Sequence, residues 1–252
     1  MTDKSENQVQ PALRVVVVSI FPDSFSMLTD VGISSRALEN NLWTFATENP
    51  RDYAMNKHNR VDDRPYGGGP GMVMQAPPLR DAILAAKNKL QNPNALVVYM
   101  SPQGARLNQS LAANLLNQQL AEQQGRESIS CDLILLCGRY EGIDERLIKH
   151  YVDYEISIGD YILSGGELAA MVVLDTLVRL IPGACGHEAS AEQDSFSTPM
   201  LDHEQFTRPE EFEGVKVPHV LTSGDHKAID QWRAQNALER TRLRRPDLLD
   251  PQ

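Results

Sequence analysis

Residues Arg14–Phe21 read RVVVVSIF, a β-branched run without the polar alternation of a half-exposed strand. Such a run suits a strand covered on both faces, the situation inside a parallel sheet flanked by helices. Ala95–Met100 and Asp132–Cys137 repeat the pattern, and Glu155–Ile158 supplies a shorter fourth strand. Between them the apolar spacing turns helical. Leu79, Ile83 and Leu84 mark a helix over Pro78–Leu90, and Leu111, Leu115, Leu116 and Leu120 mark one over Asn108–Gln123. A helical region is also expected after Pro22-Asp23, with Met27 and Leu28 inside it, and further helices over Gly142–Tyr151 and Leu168–Leu180, the last ended by Pro182-Gly183. Strands alternating with helices imply an α/β fold on a parallel sheet.

The turns narrow the choice further. Three successive strands run into breaker-rich segments: SPQG at Ser101, GRYEG at Gly138 and, after Ile158, GDYILSGG. Within Glu155–Glu167 a short apolar island, Tyr161-Ile162-Leu163, is enclosed by three glycines, more than a single turn requires. Glycine permits close backbone approach and positive φ at an entropic cost. In parallel α/β sheets ligands lie at the carboxyl ends of strands. The segment is therefore expected to wrap a flat or extended small molecule with its backbone amides and carbonyls. A fourth glycine-rich piece, Pro65-Tyr66-Gly67-Gly68-Gly69-Pro70-Gly71, is followed by Met72-Val73-Met74, so it lacks the Lys-Ser/Thr that a phosphate-cradling P-loop needs. It is expected to lie under a substrate.

At 252 residues the chain is long enough for one large domain or a domain with an appendage. Residues 1–12 are polar and read as a disordered tail, with no apolar core of a signal peptide. The longest apolar run, Leu168–Ile181, contains Asp175 and Arg179, and no stretch has membrane-spanning length. Cys131, Cys137 and Cys185 make no CxxC pair, which argues against a disulfide framework or structural zinc. A cytoplasmic location is expected. The net charge of −10 opposes non-specific nucleic-acid binding, but Cys185–Gly214 holds eight acids against one base and so carries most of it. Basic clusters at Arg51–Arg64 and Arg233–Arg245 keep an RNA partner open. A terminal helix or helix pair is expected over Asp225–Arg245, with Ile229, Trp232, Leu238 and Leu243 as core candidates.

Taken together, VDDRPYGGGPGM, SPQG, CGRYEGIDER, SIGDYILSGGE and EQDSF, in this order, resemble the bacterial tRNA (guanine-N1)-methyltransferase family, TrmD, over about Val15 to Leu249. The resemblance implies a SPOUT-type α/β fold: a parallel sheet with a deep C-terminal trefoil knot, plus a small, mostly helical C-terminal domain. The implied organisation is a methyltransferase domain at 13–184, a flexible linker at 185–214 that carries the catalytic aspartate, and a tRNA-binding domain at 215–252. It further implies a homodimer whose active sites are shared between subunits. S-adenosyl-L-methionine is the implied methyl donor, and the implied substrate is the guanine just 3′ of the anticodon, preferred after another guanine. Methylation there maintains the reading frame. The alternative is a SPOUT-type enzyme acting on another RNA position or on a ribose 2′-OH.

Residue by residue, the resemblance assigns donor binding to Tyr99, Ser101, Pro102, Gly138, Tyr140, Glu141, Gly142, Ser157, Ile158, Gly159, Asp160, Tyr161, Ile162, Leu163, Gly165 and Gly166. Asp194 matches the catalytic aspartate, and Arg179 the arginine that meets the guanine's O6. Without a resemblance, Asp175 and Arg179 read as an i,i+4 pair on a helix face. Mg2+ is a further expectation, with Glu141, Asp194 and Asp202 as candidate ligands, although no dedicated metal pattern occurs. One departure is visible: Gln205-Phe206 stands before Thr207-Arg208-Pro209 where many members have His-Tyr.

Overall fold

The computed structural model describes residues 11–122, 130–186 and 194–249. Most of the expected N-terminal tail and the stretch 187–193 of the expected linker lie outside these residues, as does the side chain of Leu120. The chain divides into two compact units, Met1–Gly186 and His187–Gln252.

The first unit is built on a five-stranded sheet of order β2-β1-β6-β5-β7, every pairing parallel. Its strands are β1 (Leu13–Val18), β2 (Trp43–Glu48), β5 (Leu96–Arg106), β6 (Cys131–Cys137) and β7 (Tyr154–Ser157). A two-residue ladder, β3 (Asp62–Asp63) with β4 (Val73–Met74), flanks the glycine-rich loop between them. The helices are α1 (Ser26–Thr29), α2 (Gly32–Glu39), α3 (Ala76–Leu90), α4 (Gln109–Glu122), α5 (Glu145–Tyr151) and α6 (Glu167–Arg179).

Alternation along each strand sends successive side chains to opposite faces, and both faces are covered. Val15, Val17, Leu133 and Leu135 pack with residues of α2, α4 and α6, including Ala37, Leu115, Val173 and Leu177. Val16, Val18, Ile134 and Leu136 pack with Leu79, Ile83 and Ala86 of α3 and Leu147 of α5. This double burial is why β1 and β6 read as continuous apolar runs.

Several expectations change in detail. Trp43–Glu48 is an edge strand that the sequence reading missed: only Trp43 is fully buried, and the rest is half-exposed, which blurs the period. SPQG does not stop its strand. β5 continues to Arg106, and its pairing with β7 slips between Met100 and Ala105, both of which oppose Ile156. Residues 101–104 are thus an excursion from a strand that resumes. Leu84 lies exposed, and Leu79, Ala82, Ile83, Ala86 and Leu90 form the buried stripe of α3.

The second unit contains a short hairpin, β8 (Glu211–Phe212) with β9 (Val215–Lys216), then α7 (His219–Thr222) and α8 (His226–Arg244). Asp225 caps α8 through a bond accepted from the Ala228 amide. Ala237 and Thr241 are the buried residues of α8, whereas Leu243, an expected core residue, is 82% exposed. Part of the expected linker is held on this helix. Thr241 Oγ1 accepts from the Leu201 amide, Asn236 Oδ1 accepts from the Glu204 amide, and Arg240 pairs with Glu204. Among the described residues, no helix is long and apolar enough to cross a membrane.

Candidate active site

The carboxyl ends of β6 and β7 and the excursion of β5 at residues 101–104 meet at a cleft of about 600 Å³. Its floor is backbone, because each strand leaves the sheet through a turn. At β7, Ser157 Oγ accepts from the Gly159 amide, and Gly159 has φ +153°, which admits the reversal. The Tyr161 amide donates to Gly159 O, and the Tyr161 hydroxyl donates to Ile158 O, closing a compact loop. At β6, the chain after Gly138 crosses the chain before α6: Arg139 and Gly165 form an isolated antiparallel bridge, and the Gly166 amide donates to Gly138 O. A Cβ on Gly166 would stand 2.8 Å from Cys137 Cα, so this crossing excludes a side chain there.

Of the residues assigned to donor binding, Tyr99, Ser101, Pro102, Gly138, Tyr140, Glu141, Gly142, Ser157, Ile158, Gly159, Tyr161, Ile162, Leu163, Gly165 and Gly166 all line this cleft. Asp160 does not; its side chain is 89% exposed and lies 3.9 Å from Arg106. Met100, Gln103, Ile143, Glu145, Ile148, Glu155, Ile156 and Ala169 complete the lining; none of them was assigned to donor binding, although Glu155 and Ile156 fall in the segment expected to wrap a ligand and Gln103 in the SPQG turn. Glu145 and Ile148 come from α5, whose amphipathic pattern alone gives no hint of a site. Tyr140 adopts a left-handed backbone, φ 61°, a conformation costing a non-glycine residue about 1–3 kcal/mol.

The cleft's electrostatics are one-sided. Glu141, Glu145 and Glu155 line it, and among the described residues no Lys, Arg or His does. Tyr140 and Tyr161 present half-exposed rings. Burial first, and then the charge of Glu155, push the Tyr99 phenol up to about 12, so it stays neutral. Burial also pushes the Cys137 thiol well up, which makes it a packing group and not a nucleophile. Acid-lined walls with aromatic faces suit a flat cationic ligand and disfavour a polyphosphate.

The glycine-rich loop adjoins this cleft. The Glu141 amide donates to Met72 O, the Met74 amide to Gly142 O and the Asp144 amide to Met74 O. A second, larger cleft on the same unit, about 1150 Å³, shares Ile143 and Glu145 with the first. It carries Arg60, Arg64, Arg80 and Arg146 together with a fully exposed Tyr66. Asp81 and Asp144 neutralise Arg80 and Arg146.

Arg179 is the last residue of α6 and is half-buried. Asp194 opens a turn in the second unit, its carbonyl accepting from the Ser197 amide and hydroxyl. It lines a pocket of about 240 Å³ with Asp202, His203, Asp230 and Arg233. The Asp202 carboxylate is held from both sides, Oδ1 accepting from the His203 amide and Oδ2 from Gln205 Nε2. Gln205 therefore has a definite partner. Phe206 keeps an aromatic ring against Trp232, with centroids 6.2 Å apart, but has no hydroxyl. Among the described residues, no group of three or more His, Cys, Asp or Glu side chains is arranged to hold a metal ion.

A family model described as tRNA (Guanine-1)-methyltransferase TrmD matches residues 13–251. The chain is 53% identical over 236 residues to a tRNA (guanine-N(1)-)-methyltransferase of Psychromonas ingrahamii, covering 93% of this chain and 90% of that protein. Proteins of the same name from Halorhodospira halophila, at 54% identity, and Pseudoalteromonas translucida, at 53%, each align with 94% of this chain and with 84% and 88% of their own lengths. The match over residues 13–251 and the likeness over nearly the whole length show that the chain belongs to the tRNA (guanine-1)-methyltransferase TrmD family.

Proposed function

We propose that this protein transfers a methyl group from S-adenosyl-L-methionine to N1 of the guanine immediately 3′ of the anticodon in tRNA. The observation that carries the donor assignment is the charge of this cleft: among the described residues its lining has three carboxylates, no base, and aromatic faces. A purine nucleoside bearing a sulfonium and an ammonium group matches such walls. The cleft's backbone loops supply amides and carbonyls for the donor's polar edges, and Glu141 and Glu155 offer the acceptors a cation requires.

When bound, S-adenosyl-L-methionine supplies an electrophilic methyl group. The remaining difficulty lies in the acceptor, because guanine N1 carries a proton and its lone pair is delocalised. Asp194 takes that proton, a contribution of about 10²–10⁴-fold for a positioned general base. Arg179 faces O6 and stabilises the charge that develops there as the proton leaves. In an anticodon loop the guanine is already partly unstacked, so presenting it to a pocket costs less than flipping it from a duplex.

The same proposal includes a trefoil knot, a homodimer with shared sites and a cytoplasmic protein. The close crossing of the segments at Gly138 and Gly166 supports the knot, which is rare enough among folds that only such local contacts argue for it. Leu168 and Val172 on the outer face of α6, with Met27 and Val31 on neighbouring segments, are exposed and apolar, as in a surface covered by a second subunit. Exposed Arg242 and Arg244 on α8, and Arg60 and Arg64 beside the second cleft, offer cations to a phosphate backbone. The deciding experiment follows methyl transfer from labelled donor to a transcript with guanine after the anticodon and to the same transcript with adenine there. Label confined to the first, recovered as 1-methylguanosine, is expected. Label in both, or on a ribose, overturns the assignment.

A further inference from the structure

We infer that Arg139 and Glu167 are a positioning pair that fixes the shape of the donor cleft from outside it. Neither side chain lines the cleft, yet the residues beside them do: Gly138 and Tyr140 flank Arg139, and Gly166 precedes Glu167. Glu167 is the first residue of α6 and is 3% exposed, so its charge has left water almost completely. A buried carboxylate requires partners, and it has two. Arg139 Nε donates to Oε2 at 2.9 Å, and Ser19 Oγ donates to Oε1 at 2.7 Å.

Arg139 extends the connection. Its Nη1 donates to Ser164 O at 3.3 Å, its amide donates to Met74 Sδ at 3.3 Å, and its guanidinium stacks 4.4 Å from the centroid of Phe21. The guanidinium runs across Gly165, where a Cβ would collide with Arg139 Nε, Cδ and Cζ. One ion pair therefore joins the segment after β1, the turn after β6 and the turn into α6. The last two are adjoining stretches of the cleft lining, joined by the backbone bonds at Gly138, Arg139, Gly165 and Gly166, and the ion pair braces that junction from outside the lining. The short chain of contacts also explains why glycine stands at 165: a side chain there would occupy the place of the guanidinium.

Given the donor cleft proposed above, the pair governs donor affinity through geometry and not through contact. The test measures binding of S-adenosyl-L-methionine to the full-length chain by calorimetry, without tRNA, well below the melting temperature. Glu167→Gln keeps the acceptor for Ser19 and sets an amide against Arg139 Nε. A dissociation constant about tenfold higher is expected, with Arg139→Lys intermediate because the charge remains and the Ser164 and Phe21 contacts are lost. A lowered melting temperature with unchanged affinity in both variants overturns the inference, since a purely structural pair affects folding alone. Should Glu167→Gln fail to fold, Ser19→Ala decides. It leaves the ion pair intact but frees one oxygen, and a rise of about threefold is expected, whereas wild-type affinity overturns the proposal. Failure of the unaltered chain to bind the donor is a separate result, which removes the donor assignment itself and this inference with it.

Discussion

Asp194 is an exposed aspartate at the start of a turn. Its chemistry depends on being placed against the substrate proton. Asp194→Asn is therefore expected to bind the donor with unchanged affinity and to lose about 10²–10⁴-fold in single-turnover methyl transfer. Near-normal transfer would remove its role as base. For Arg179→Ala the expectation is a slower chemical step, by about 10²–10³-fold, with tRNA affinity nearly unchanged. An affinity loss alone would return Arg179 to a surface role. At this scale the sequence was most informative where backbone geometry selects the residue. Gly159 and Gly166 are tied to a positive φ and a close crossing, and those demands leave a mark in the chain. Glu155 and Glu145 carry no such mark, because a glutamate lining a cleft looks like any glutamate at the end of a strand or on a helix.

Elements with both faces covered were the easiest to read. β1 and β6 are buried throughout or nearly so, and each shows as an unbroken apolar run. β2 was not legible, since an edge strand with one buried residue in six has neither a run nor a clean alternation. The continuation of β5 past SPQG was hidden for a different reason. Proline and glycine signal an interruption equally well whether the strand ends or resumes. The short helix α5 depends on its cap: Asp144 Oδ1 accepts from the Arg146 amide, and the Arg146 guanidinium grips both carboxylate oxygens. Asp144→Ala should lower stability by about 1 kcal/mol in urea unfolding. The hydrogen bond from Arg146 holds the Asp144 carboxyl below its usual range. A depressed carboxylate contributes stability above its unfolded pKa, near 4, and loses that contribution as pH falls through the lower folded value. Asp144→Asn keeps a capping oxygen without the charge, so its acid unfolding below about pH 4 should be less steep than that of the parent. Superimposable acid curves would show that the pair contributes nothing to folding.

At the scale of the whole molecule, the exposed apolar face of α6 fits burial against a second copy of the chain, as proposed above. Leu168 and Val172 are 56% and 44% exposed. Leu168→Glu places a charge in that face while leaving the sheet untouched. Sedimentation is expected to show monomers for the variant and dimers for the parent, with methyl transfer lost in parallel if sites are shared. A variant that remains dimeric would move the interface elsewhere.

The detour of β5 at residues 101–104 has one more consequence. That strand lies between β6 and β7, so a wall of the proposed donor cleft is spliced into the interior of the sheet and is not carried on an outlying loop. Whatever grips Ser101 and Pro102 also grips the framework, and occupancy is transmitted to the melting curve. At a donor concentration of about 100 times its dissociation constant, mass action adds about 2.7 kcal/mol to the first unit's stability. A thermal shift should therefore report a small molecule that occupies the cleft at concentrations well above its dissociation constant, and a compound that leaves the first unit's transition unmoved at such concentrations does not bind its folded form preferentially.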